Sequence, residues 1–150
     1  TIDKSLKHYS QIFISISIAG IINLILIIGF VLDLESIYEP RYVVPIAGMI
    51  FANTMNALSL AIERFEKETQ RKVKYNDARA IAFKACMIPQ INALLAVGLV
   101  SLPGRMTGQI LSGIDPLIAV RYQIMIMAMV VSSAGISTII YFSLNRITDE

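Results

Sequence analysis

Four stretches of this chain, 11–32, 42–62, 85–102 and 122–144, contain no Asp, Glu, Lys, Arg or His, and the polar groups they carry are amides and hydroxyls. Asn23 lies in the first, Asn53, Thr54 and Asn56 in the second, Gln90 and Asn92 in the third, and Ser132, Ser133, Ser137 and Thr138 in the fourth. Such groups can hydrogen-bond one another or line a polar route for a solute, but they offer neither a proton relay nor an ion-pair switch. A serine nucleophile would need a base at comparable depth, and the four stretches hold none. Cys86 is the single cysteine and His8 the single histidine, which excludes an internal disulfide or CxxC pair and argues against a His-based metal site. No GxxxxGK[ST] phosphate cradle occurs. The chain is therefore read as a non-enzyme with no cofactor and no metal of its own.

Two readings of the amides stand side by side. Small residues such as Gly48, Ala52, Ala134 and Gly135 permit close approach of helices, and interhelical hydrogen bonds would then satisfy the amides in packing. Asn53 and Asn56, three apart, share a helix face and with Gln90 and Asn92 would alternatively form a substrate pathway. Met125, Met127 and Met129 are scattered around a helix by their spacing of two, so they are read as packing and not as a soft-metal site.

The elements that must position these groups follow from composition. Hydrophobic residues make up 55% of the 150 and charged ones 16%, against roughly 45–50% and about 25% in an ordinary soluble domain. A helix crossing about 30 Å of hydrocarbon needs roughly 20 apolar residues, and three of the four uncharged stretches reach that length outright; the third, 85–102, has 18 and either spans with little tilt or stops early as a broken helix. The expected fold is all-α, a polytopic membrane protein with four transmembrane helices in a single domain, in contact with membrane lipid. Pro45 and Pro89 fall a few residues inside the second and third stretches, where a missing N–H near a helix start costs little. Tyr9, Tyr38, Tyr42, Tyr122 and Tyr141 lie near stretch ends, suited to the headgroup layer.

Orientation follows from the cations. Lys4, Lys7, Arg64, Lys67, Arg71, Lys72, Lys74, Arg79, Lys84 and Arg146 fall on one side of such a membrane, and only Arg41, Arg105 and Arg121 on the other. The positive-inside rule then places both termini and the 63–84 loop in the cytoplasm, with the acidic turn 33–39 outside. A net charge of +2 without aromatic interleaving gives no reason to expect nucleic acid. The 63–84 connection is long for a turn, and its first part is a good helix former with Glu63/Lys67 and Glu68/Lys72 at i,i+4 spacing, so the second helix is expected to continue beyond the membrane. Either a solvated basic segment beside anionic lipid or a protein-docking surface fits that composition. The stretch 103–116 mixes Gly and Pro with apolar residues, and it reads either as a re-entrant or broken-helix element or as a tight extracellular turn.

Two further patterns are recognisable: Val44-Pro45-Ile46-Ala47-Gly48-Met49-Ile50 leading to Asn53, and Leu102-Pro103-Gly104-Arg105-Met106-Thr107-Gly108-Gln109-Ile110 followed by Ile114-Asp115-Pro116 and Arg121-Tyr122-Gln123. From about Tyr42 to Tyr141 the chain resembles the FetB-type permease family. That family comprises the membrane subunits of a bacterial iron-export ABC transporter and plant relatives that serve aluminium tolerance. The resemblance implies a multi-pass permease subunit of the cell inner membrane, a homo-oligomer of such subunits, and a separate cytosolic ABC ATPase. Docking would then fall on the 63–84 loop, with Arg71, Lys72, Lys74, Asp77 and Arg79 as its candidates. Family members begin with further spans, have a longer cytoplasmic loop and usually carry Met where this chain has Arg105. The expectation is thus the C-terminal part of a longer permease, and a non-transporting scaffold or truncated permease is the alternative.

Overall fold

The computed structural model describes the backbone of residues 2–31, 40–99 and 104–149. The expected acidic turn 33–39, the end of the third stretch at 100–102 and Pro103 lie outside the described residues, as do the side chains of Lys4, Arg41, Tyr42, Arg105 and Arg146. The described elements are all helical. Helix α1 runs Ile2–Leu26 and continues as a π-helical turn, Ile27–Val31; α2 spans Pro40–Gln70, α3 Tyr75–Leu99, α4 Gly104–Leu111 and α5 Pro116–Asp149. Helices α1, α2 and α5 pack on one another, and α3 lies against α2 and α5.

Among the described residues, three helical segments are long and apolar enough to cross a membrane: Lys7–Gly29, Val43–Gln70 and Pro116–Asn145. Large apolar side chains on them point away from the bundle, among them Phe13 at 72% exposed and Ile124 at 62%. A monomeric water-soluble protein rarely shows such continuous apolar surface, and lipid is the solvent that suits it. The chain is an all-α membrane protein. The fourth expected span, 85–102, does not reach the same standard among the described residues. The reason is that α3 spends its first turns on the charged segment 75–84, and its uncharged part is described only to Leu99.

That earlier start of α3 also corrects the reading of the prolines. Pro89 lies deep in the helix interior, where its missing N–H leaves the Ala85 carbonyl without its usual partner. Pro45 likewise sits inside α2, which begins at Pro40. The 63–84 segment is not a loop. Helix α2 continues to Gln70 as expected, and α3 starts five residues later, so the two form a helical hairpin.

Among the described residues two apolar clusters hold the bundle. At the hairpin end, Leu58, Ala61 and Phe65 of α2 meet Ala78, Ala82 and Cys86 of α3 and Tyr141 and Phe142 of α5. Toward the opposite end, Ile27, Ile46, Ile50 and Met129 form the second cluster. Between α1 and α2 the Phe51 ring packs directly on the Gly20 backbone, where a Cβ would collide with it.

Candidate functional site: a basic hairpin above a polar layer

The hairpin turn is built by backbone hydrogen bonds. Val73 N–H donates to the Glu68 carbonyl at 3.1 Å and Lys72 N–H to the Thr69 carbonyl at 2.9 Å. This is the Schellman pairing that ends helices on a left-handed residue. Here that residue is Lys72, with φ 62°. The Lys74 carbonyl then accepts from Asp77 at 3.0 Å and Ala78 at 2.9 Å and starts α3.

The left-handed turn also rearranges the expected ion pairs. Glu63 and Lys67 pair at 2.5 Å, as their spacing predicts. Glu68 does not pair with Lys72, because Lys72 has left the helical path. Its carboxylate, buried despite its charge, meets Arg64 at 2.8 Å and Arg71 at 3.5 Å instead. Arg71, Lys72, Lys74 and Asp77 are exposed around the tip, whereas Arg79 is half-buried beside Phe83 and Phe142 in a groove between α3 and α5.

Beneath the tip an aromatic cluster ties the hairpin to the rest of the bundle. The Phe65 ring lies 5.4 Å from Tyr75 at 80° and 5.2 Å from Phe142, separations at which edge-to-face pairs are favourable. The Tyr75 hydroxyl donates to the Phe142 carbonyl at 3.1 Å. Tyr141 contacts His8 of α1, with its hydroxyl 3.3 Å from Nδ1. Sequence reasoning placed Tyr141 at an interface and missed this cluster; the aromatic residues at 65, 75, 141 and 142 were its only signal.

Deeper in the bundle lies a layer of polar contacts among α1, α2 and α5. Asn53 donates to the Val130 carbonyl at 2.8 Å and to the Ser133 hydroxyl at 3.0 Å. Ser132 donates to the Asn23 side-chain oxygen, and the Asn23 amide donates to the Ala19 carbonyl at 2.8 Å. Hydroxyls on α5 also bond within their own helix, Ser133 to Val130, Ser137 to Ala134 and Thr138 to Ala134. Cys86 of α3 touches Thr138, its sulfur 3.5 Å from the hydroxyl.

The four amides expected to form one polar face are placed differently. Asn53 is engaged with α5, Asn56 and Asn92 are exposed, and Gln90 is half-buried. No hydrogen bond among the described residues joins Asn53 to the other three. The sequence named Asn23, Ser132 and Ser133, but spacing within one helix carries no information on partners in another.

Within the 103–116 segment, residues 104–116 form α4 and a turn into α5. Ile114 N–H donates to the Gln109 carbonyl and Gly113 N–H to the Ile110 carbonyl, both at 3.0 Å, with Gly113 at φ 87°. Asp115 caps α5: its carboxylate accepts from Leu117 N–H at 2.8 Å, with Pro116 in the first helical position. Met106 is buried, Gln109 half-buried, and Thr107 and Gly108 are exposed. The backbone of Gly104 and Arg105 opens α4.

The comparisons agree with this architecture. No solved structure matches the chain. The probable iron export permease protein FetB of Escherichia coli is 37% identical over 150 residues, which covers 89% of this chain and 56% of that protein. The UPF0014 membrane protein slr1647 of Synechocystis is 34% identical over 151 residues, 91% of this chain and 58% of its own length. The protein ALUMINUM SENSITIVE 3 of Arabidopsis thaliana is 31% identical over 118 residues, 68% of this chain and 43% of its own length. The chain thus spans less than two thirds of the curated relatives it matches. The model of the uncharacterised protein family UPF0014 matches residues 2–147, including the first helix that the motif resemblance had left out. With its long apolar helices and near-complete coverage by that model, the chain belongs to the UPF0014 family of membrane proteins.

Proposed function

We propose that the chain is the permease part of an ABC-type transporter that exports metal, with iron as its substrate, driven by a separate cytosolic ATPase. The observation that carries this reading is the hairpin: three exposed cations, Arg71, Lys72 and Lys74, ride on a turn whose base is packed into the aromatic cluster of Phe65, Tyr75 and Phe142. A push on the tip would reach α5 and α1 through packed side chains and not through a slack loop. The name of the Escherichia coli relative, a probable iron export permease, supports the metal and the direction, and the bias of cations to the hairpin side supports an inner-membrane protein with both termini in the cytosol.

Solute passage then falls to the exposed amides Asn56 and Asn92 together with Gln90, since Asn53 is occupied by α5. An exposed amide at membrane depth is costly against lipid. A second copy of the permease, meeting the face of Gly48, Ala52 and Asn56, would remove that cost and enclose the route. The chemistry is conformational throughout, and no covalent step falls on this chain.

Transport in sealed vesicles containing the full-length permease and its ATPase tests the reading. ATP-dependent iron movement is expected. Charge reversal at Lys72 and Lys74 should weaken ATPase co-purification severalfold; these two are the cleaner sites, because a carboxylate at position 71 would also repel buried Glu68. Asn56→Leu should abolish transport with assembly intact. Assembly with the ATPase but no metal movement would identify a scaffold instead.

A further inference from the structure

A groove of about 490 Å³ opens between α2 and α3. Its apolar lining comes from Leu60, Ile81, Ala85 and Ile88, and its charged lining from Glu63, Arg64, Lys67 and Lys84. On α2 the charged residues lie on the hairpin side of Leu60, and on α3 Lys84 lies on the hairpin side of Ala85 and Ile88, with Ile81 about one turn nearer the tip. Glu63 and Lys84 mark the points where the uncharged stretches of α2 and α3 end, and Ile88 lies one turn further toward the membrane interior. At about 1.5 Å per residue both points sit roughly 15 Å below the hairpin turn. The groove therefore straddles the boundary between hydrocarbon and headgroups.

The charges at that boundary are unequally used. Glu63 is taken by Lys67 at 2.5 Å, and Arg64 reaches Glu68 at 2.8 Å. Lys84 is exposed and pairs with no carboxylate among the described residues. The groove thus offers an apolar slot, Ile88 being 55% exposed within it, under a cation that lacks a counter-charge. We infer that this groove binds an anionic phospholipid, one acyl chain lying against Leu60, Ala85 and Ile88 and the phosphate meeting Lys84, with Arg64 beside it. The site is separate from the hairpin tip and does not depend on what the protein transports.

Residues 1–150 contain no Trp, and with any Trp outside them replaced by Phe, one introduced Trp reports from a single place. Ile88→Trp is reconstituted into phosphatidylcholine vesicles containing phosphatidylglycerol, with bromine carried on the acyl chains of one lipid or the other at equal mole fraction. Brominated phosphatidylglycerol should quench the reporter with roughly fivefold preference, the equivalent of one cation at the headgroup layer. Lys84→Gln should bring that preference close to unity and Lys84→Arg should retain it. Phe13→Trp, on the exposed face of α1, should show no preference. If Ile88→Trp does not fold, Leu60→Trp reads the same groove. Equal quenching by both lipids at the groove overturns the inference. So does weak quenching by both where Phe13→Trp is strongly quenched, a result that would mean a protein segment fills the slot.

Discussion

The turn after α2 and the turn after α4 close with the same two hydrogen bonds, yet one puts Lys72 and the other Gly113 in the left-handed position. Glycine reaches that conformation without penalty, whereas an ordinary residue there costs about 1–2 kcal/mol. The turn at Gly113 is locally consistent in every respect, with Asp115 capping the next helix and Pro116 opening it. The turn at Lys72 is held from outside, by the packing of Val73 and Tyr75 against the Phe65 cluster. One turn folds by its own chemistry and the other by tertiary contact. A lysine kept at a position that suits glycine puts a charge at the outermost point of the hairpin.

The contrast can be broken most severely at Phe65. Phe65→Ala removes the ring shared by Tyr75 and Phe142 and should destabilise the protein by about 3 kcal/mol or more, seen as a lower melting temperature in detergent and faster amide exchange at 71–78. Equal exchange in variant and parent would mean the tip folds independently of the cluster. Gly113→Ala should cost about 1–2 kcal/mol by forcing a Cβ into the left-handed region, although space around it is open. Asp115→Ala should cost about 1 kcal/mol through loss of the α5 cap, measured by the same melting. Lys72→Gly should act in the opposite direction, raising stability by up to about 1 kcal/mol while lowering ATPase co-purification. A glycine there that stabilises nothing would show that the external packing has already absorbed the backbone penalty.

The membrane-spanning character of α1, α2 and α5 was legible because uncharged length is a property of one segment at a time. The second helix's extension past Ile62 and the Glu63–Lys67 pair were legible for the same local reason. The start of α3 at Tyr75 was not, since no Ser, Thr, Asp or Asn stands at the boundary, where Lys74 caps only with its carbonyl. Pro89 was misplaced in consequence, and Glu68 was paired with the wrong cation because the left-handed Lys72 carries no marking glycine. In the polar layer, residue types were readable and partners were not. Asn53 and Asn56 share a helix face by spacing, yet the neighbouring helix engages only Asn53.

The hydroxyls of α5 have one more consequence. Ser133, Ser137 and Thr138 each have an acceptor in their own helix, and Asn23 has one in α1. Sliding of α5 against its neighbours would leave these donors satisfied. The Asn53 donor is different, because the acceptors it meets both belong to α5. Shear across the middle of the bundle is therefore resisted at two points, the Asn53 amide between α2 and α5 and the Ser132 hydroxyl on Asn23 between α5 and α1, which act as catches on an otherwise low-friction surface.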